Sequence, residues 1–362
     1  MSGTSLDGVD GVLAELDDDS GRPLRVLAHE HAPLGDALAA ELLALNRSGP
    51  DELHRAALAA NALMRIYADV IHRLLARTGR QAVDIAAVGA HGQTVRHQPL
   101  AHDGSGYTLQ LANGALLAEL TGITTVCDFR SADLAAGGQG APLVPAFHAA
   151  TFATAGTDIA VLNVGGIANL TLLCADGRVL GFDTGPGNVL MDLWCRDRRG
   201  QAYDAGGALA ASGHVQTGWL KQLLAEPYFD RAPPKSTGRD LFHAVWLEGH
   251  QPAGSDADVM ATLAELTVQS VVRALKTHLP AVRQLRVCGG GAFNQHLLSR
   301  WRSSLPEVDV ATTAEAGVPP EQVEALAFAW LAFRRLHGRS GSLPAVTGAR
   351  GPRVLGAVHA AP

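Results

Sequence analysis

The chain has 362 residues, of which 40 are glycine, about 11% against the roughly 7% usual in soluble proteins. With 47% hydrophobic and 18% charged residues and a mean hydropathy of +0.09, it is neither a disordered polymer nor a membrane protein, and its length predicts about two domains. A net charge of -6 argues against a protein that tracks a nucleic-acid backbone and leaves room for a local anion site.

In chain order, short glycine-rich turns separate β-rich runs from Ala/Leu-rich helical stretches, an α/β rhythm. Residues 8–16 read as a strand, 51–78 as a long amphipathic helix, 83–90 as a strand, 113–120 as a helix and 124–127 as a short strand. A second series opens at Asp158. Strands at 159–163, 170–174 and 179–182, joined by the Gly165-Gly166 and Asp176-Gly177 turns, form a meander. Helices follow at 187–196, 215–224 and 257–279, then a strand at 285–288 that runs into Gly289-Gly290-Gly291 and a helix from Asn294. The segment 321–337 reads as a helix, 338–353 as a loop and 354–358 as a last strand. Each half starts with strands bearing a glycine turn, which predicts two related lobes with a boundary within 135–157.

Cys127, Cys174, Cys195 and Cys288 are far apart with no Cys-x-x-Cys pair, which disfavours a zinc ribbon or a disulfide framework and fits a reducing cytoplasm. A long uncharged stretch, 137–157, is broken by glycines and prolines and does not read as a membrane helix; no signal peptide follows Met1. Neither G-x-G-x-x-G nor G-x-x-x-x-G-K-[ST] occurs, which removes the simplest dinucleotide and P-loop signals.

Four glycine turns are candidates for chemistry. The run Ser2 to Gly8, SGTSLDG, precedes an apolar strand and could cradle phosphate through backbone N–H groups, or simply be a frayed terminus. A turn that opens at Met1 with no arm before it points to a strand upstream of Met1. In NVGGIAN, 163–169, paired glycines either admit a ligand or make an ordinary β-turn. In GFDTGPGN, 181–188, Asp183 ends a strand beside a helix start; it is a candidate general base, or a helix cap. In VCGGGAFN, 287–294, three glycines leave room for a flat ring or a phosphate. Polar residues for a second ligand gather at His91, Gln93, Thr94, Arg96 and His97, and at Asp128, Arg130 and Asp133 before GGQGAPLVP. The six-residue spacing of His91 and His97 does not suit a helical metal pair, and Arg130 suits a substrate carboxylate or a routine surface pair. Glu324 and Lys235 lie in less informative surroundings.

Together SGTSLDGVD, HGQTVRH, DFRSADLAAGGQGAPLVP, NVGGIANL, GFDTGPGN, PPKSTGRD, CGGGAFN, EALAFA and VTGA closely resemble the anhydro-N-acetylmuramic acid kinases, from Met1 almost to the C-terminus. Family members carry a short strand ahead of the first motif that this sequence lacks. The resemblance implies a two-lobed actin-like ATPase (ribonuclease H-like) α/β fold with an interlobe cleft. It divides the chain into an N-terminal lobe, 1–140, with sugar-binding elements and a C-terminal lobe, 141–362, with nucleotide-binding elements, the last strand 354–358 returning to the first lobe. It further implies an ATP- and Mg2+-dependent kinase that hydrolytically opens 1,6-anhydro-N-acetylmuramic acid and phosphorylates O6. A kinase for another sugar and a non-transferring actin-like ATPase are the alternatives. Asp183 is the expected catalytic base; Gly3, Thr4, Ser5, Leu6, Asp7, Gly8, Val9, Asp10, Gly165, Gly166, Gly289, Gly290 and Gly291 are expected at the nucleotide. His91, Gln93, Asp128, Arg130 and Glu324 are expected at the sugar. No residue is assigned as a direct metal ligand; Mg2+ is expected near Asp7 through ATP and water. A cytoplasmic homodimer without nucleic-acid or membrane partners completes the expectation.

Overall fold

The computed structural model describes all residues except 4, 5, 18, 20–22 and 239, and the side chains of 23 and 24. The chain forms two compact units, Met1–Thr151 with Gln322–Pro362, and Phe152–Glu321.

In the first unit, β1 (Gly8–Leu16) pairs antiparallel with β2 (Pro23–Pro33), with Val9 opposite Ala32. The helix Glu52–Thr78 packs on this hairpin, burying Leu63, Met64, Tyr67, Val70 and Leu74 at helical spacing, and ends at Gly79 with φ 66°. β3 (Val88–Gly89) pairs parallel with β6 (Thr125–Cys127), and between them in sequence β4 (Gln93–Pro99) and β5 (Gly106–Leu111) form a hairpin. The C-terminal strand Ala357–His359 adds to the other edge of β6. The helix Val323–Leu336 packs on β1 and β3 and buries Leu326, Phe328, Trp330 and Leu331. Gly89 permits the closest approach, since a Cβ there would overlap the Phe328 carbonyl.

The second unit is built on one sheet: β7 (Ile159–Val164), β8 (Ile167–Leu173), β9 (Val179–Pro186), β10 (Gln284–Cys288) and β11 (Asp309–Thr312), in the order β11-β10-β7-β8-β9. β8 runs antiparallel to β7 and β9, whereas β10 is parallel to β7 and β11. Counted within the unit, the order is 5-4-1-2-3 with only the second strand reversed, the arrangement of a ribonuclease H-like sheet. β7 is central, and Ile159 to Leu162 are all buried, as expected of a strand covered on both faces. The helix Asp256–His278 crosses β8 and β9 and is nearly continuously buried from Val259 to Val268.

Several sequence expectations shift. Residues 82–84 form a 3-10 turn rather than strand, because the Asp84 carboxylate accepts the Gln81 N–H at 2.8 Å, and only Val88–Gly89 pairs. The helix expected from 187 begins at Val189, since the Gly187 and Asn188 N–H groups go back to the carbonyls of Gly166 (2.8 Å) and Gly165 (2.9 Å). The helices Asp36–Ala44 and Val144–Phe152 and the strands β2, β4, β5 and β11 add to the elements expected. The lobe division also moves. The tail from Gln322 groups with the first unit instead of belonging to a 141–362 lobe, because the apolar face of Val323–Leu336 is buried on β1 and β3.

Candidate functional site

In the second unit the chemistry centres on Asp183 in β9. The pairing with β8 slips here: Asn169 faces Asp183 and Ala168 faces Gly185, so Thr184 is an extra residue. Such a bulge re-aims the side chains around it. Thr184 is buried and donates to the Ala168 carbonyl at 3.1 Å, while Asp183 is held from three directions by the segment 228–237. Its N–H donates to the Lys235 carbonyl (3.2 Å), its carbonyl accepts the Tyr228 hydroxyl (2.8 Å), and its Oδ2 accepts the Thr237 N–H (3.0 Å). Burial pushes the Asp183 carboxyl up to about 6, against the opposing pull of the Thr237 N–H and the Lys235 ammonium. Lys235 spends its own donors on the Tyr228 and Phe229 carbonyls, at 3.3 and 3.1 Å. Thr237 and Tyr228 were not singled out from sequence; the signal for Thr237 was the PPKSTGRD string, whose backbone role only the fold reveals.

The glycine turns of this unit separate into two kinds. A Cβ at Gly289 would overlap Asn163 and one at Gly291 would overlap Val164, so packing against β7 accounts for both; Gly289 also has φ 76°. A Cβ at Gly165, Gly166 or Gly290 would meet nothing closer than 3.7 Å, and none of the three has a left-handed φ. Neither packing nor backbone conformation demands glycine at those positions.

In the first unit two of the expected sugar residues, His91 and Glu324, stand by a third, Arg130. Arg130 donates from Nη1 to the Gly140 carbonyl (2.8 Å) and from Nη2 to His91 Nε2 (2.9 Å), and its Nε is buried without a hydrogen-bond partner. Burial lowers its pKa to about 10, with Glu324 pulling the other way. His91 is buried, accepts from Arg130 at Nε2 and therefore donates from Nδ1 to the Gly92 carbonyl at 2.7 Å. Burial, then the Arg130 charge, holds His91 well below the usual imidazole range, so it is neutral. Gln93 is buried with its Oε1 unpartnered. Glu324 lies in the first turn of Val323–Leu336; the returning tail is what brings it beside Arg130, across the lobe boundary drawn from sequence. Asp128 has a left-handed φ of 52°, and its Oδ1 accepts the Ser131 N–H and hydroxyl, at 3.3 and 2.5 Å.

The N-terminal run belongs to this same unit. Thr4 and Ser5 lie outside the described residues. Leu6 closes a turn onto the Gly3 carbonyl (3.3 Å) with φ 59°, and Ser2 bridges to Val9. The Ser2 hydroxyl donates to the Gly92 carbonyl (3.0 Å) and accepts from Tyr67 (3.3 Å), which ties the run to the His91 segment. Asp7 is exposed. Val9 is 1% exposed and is a core residue, paired with Ala32 on one side and bridged to Ser2 on the other. The Asp10 N–H is taken by the Met1 carbonyl at 2.9 Å, and its Oδ1 by His29 (3.2 Å) and His31 (3.1 Å).

A family profile described as anhydro-N-acetylmuramic acid kinase matches residues 1–361. An anhydro-N-acetylmuramic acid kinase of Variovorax paradoxus is 58% identical over 369 residues, covering 100% of this chain and 98% of that protein. One of Bordetella petrii is 57% identical over 367 residues, covering 100% and 95%, and one of Albidiferax ferrireducens is 54% identical over 384 residues, covering 100% and 98%. With full-length matches of this strength, and with the motif set placed on one ribonuclease H-like unit and a second α/β unit, the chain belongs to the anhydro-N-acetylmuramic acid kinase family and is a phosphotransferase acting on an alcohol group.

Proposed function

We propose that the chain uses ATP and water to convert 1,6-anhydro-N-acetylmuramic acid, a product of cell-wall turnover, into N-acetylmuramic acid 6-phosphate. Beside the family membership, the observation that carries this reading is Asp183, a half-buried carboxyl raised to about 6 and clamped by Tyr228, Lys235 and Thr237. A base near that value is ionised at neutral pH and still accepts a proton readily.

In the proposed step an Asp183 carboxylate oxygen takes a proton from water as the water oxygen bonds to the anomeric carbon. The C1–O6 bond breaks, and O6 bonds to the γ-phosphorus of ATP in line with the departing ADP. One carboxylate thereby serves both ring opening and transfer. Gly165, Gly166 and Gly290 support close backbone approach of the nucleotide, since nothing within the protein demands glycine there. Gly289 and Gly291 shape that turn through β7; in the first unit the glycine-rich run 3–10 is the proposed phosphate segment, on the family motif it carries. Mg2+ would neutralise phosphate charge. The exposed Asp7 fits it through water, as this ion keeps several waters and uses few protein carboxylates. The unpartnered Arg130 Nε suits the lactyl carboxylate, and the unpartnered Gln93 Oε1 suits a sugar hydroxyl or amide N–H; His91, Asp128 and Glu324 complete the sugar set. A cytoplasmic homodimer remains part of the proposal.

Incubation with ATP, Mg2+ and the anhydro-sugar, followed by mass and NMR analysis, tests it. A ring-opened 6-phosphate is expected; ADP release with no phosphorylated sugar, or equal turnover of an anhydro-sugar lacking the lactyl group, would reject it.

A further inference from the structure

Asp133 is fully buried in the first unit, and no step above uses it. Its Oδ2 accepts the Gly140 N–H at 2.8 Å and its Oδ1 accepts the Thr347 hydroxyl at 2.9 Å. The segment 137–140 wraps around this carboxylate. The Gly138 N–H donates to the Asp133 carbonyl (2.9 Å), the Gln139 N–H to the Thr347 carbonyl (2.8 Å), and a Cβ at Gly138 would overlap Asp133 Oδ2. The other side of the same residue matters most. Gly140, whose N–H is fixed by Asp133, presents its carbonyl to Arg130 Nη1 at 2.8 Å. The second amino group of Arg130 rests on the neutral His91. Two neutral acceptors thus aim a buried guanidinium, and one of them is placed by Asp133.

We propose that Asp133 is a positioning residue for substrate recognition: through Gly140 it sets the direction in which Arg130 meets the carboxylate of the sugar. The inference rests on the reading of Arg130 as the partner of that carboxylate. A buried carboxylate that hydrogen-bonded to Arg130 itself would compete with the ligand; one residue away, it orients the guanidinium without occupying it. The role is that of two hydrogen bonds and not of a charge. Asn at the same place keeps an acceptor for the Gly140 N–H and an amide that can donate to the Thr347 hydroxyl, so it should substitute.

The test compares Asp133→Ala, Asp133→Asn and Arg130→Gln in the full-length enzyme, with KM for the anhydro-sugar, KM for ATP and kcat measured separately. Asp133→Ala is expected to raise the sugar KM about tenfold or more, with the ATP KM within about twofold and kcat changed less than the sugar KM. Asp133→Asn should stay within about twofold of the parent on all three. Arg130→Gln should raise the sugar KM at least as far as Asp133→Ala, and Asp133→Ala should add little to it in the double variant. An unchanged sugar KM in folded Asp133→Ala, with Arg130→Gln impaired, overturns the positioning role alone. An unimpaired Arg130→Gln overturns the reading of Arg130, and the inference with it. Where Asp133→Ala fails to fold, Thr347→Val removes one arm of the same network, and an unchanged sugar KM there also overturns the proposal.

Discussion

At Asp183 the same burial that suits a base also strains the fold. Its carboxyl sits near 6 in the folded chain against 3.8 for the free side chain. Between those values the folded state binds more protons than the unfolded state, so the contribution to stability is full below about pH 4 and is lost as pH rises through about 6. Asp183→Asn keeps the acceptor for the Thr237 N–H without the buried charge. It should therefore lower kcat by about two to four orders of magnitude while raising the melting temperature at pH 8, the two proteins converging below pH 4. Near-parental turnover would remove Asp183 from the base role, and an unaltered melting temperature at pH 8 would contradict the raised pKa. In the parent enzyme kcat/KM should climb about tenfold per pH unit below about 6 and level above it. From sequence Asp183 was legible as a carboxylate at a strand end. Its altered proton affinity was not, because that depends on burial beneath a segment 45 to 54 residues away.

The glycine turns divide at the scale of the element. Gly289→Ala and Gly291→Ala force a methyl into β7 and should destabilise by about 1–3 kcal/mol, read as a lower urea midpoint. Gly290→Ala has room, its nearest neighbour being Asn188 Nδ2 at 3.8 Å, and should leave that midpoint unchanged while raising the ATP KM. If Gly290→Ala bound ATP normally, the open glycine would have no nucleotide role. The following helix, Gln295–Ser304, starts where Asn294 Oδ1 accepts the Leu297 N–H at 3.1 Å; Asn294→Ala should cost about 1 kcal/mol in denaturant unfolding. The helix start after the three glycines was readable because an N-cap is local chemistry. That two of these glycines serve strand packing was not readable, since the strand they press against lies more than a hundred residues earlier.

For the whole molecule, the second unit is continuous in sequence and has its own core, whereas the first is completed by its tail. A fragment covering 152–321 should unfold cooperatively in urea with native near-ultraviolet dichroism. The fragment 1–151 leaves exposed the surface of β1 and β3 that Val323–Leu336 covers, and should be unfolded or aggregated unless 322–362 is co-expressed. Recovery of a cooperative fold by 1–151 alone would refute the division. Among the described residues no helix is long and apolar enough to cross a membrane.

What the sequence determined by itself was local or carried by contiguous motifs. The α/β rhythm, the meander of β7 to β9 and the glycine turns follow from periodicity and residue chemistry within a few positions. The family follows from motifs spread along the whole chain. Tertiary structure alone decided that Glu324 stands beside Arg130, that Val9 belongs to the core and that Asp133 reaches Arg130 through Gly140. Each depends on contacts between distant segments or on burial, which no local pattern encodes. The glycine excess was visible in the composition, but only the neighbours of each missing Cβ distinguish glycines needed for packing from those the fold leaves open.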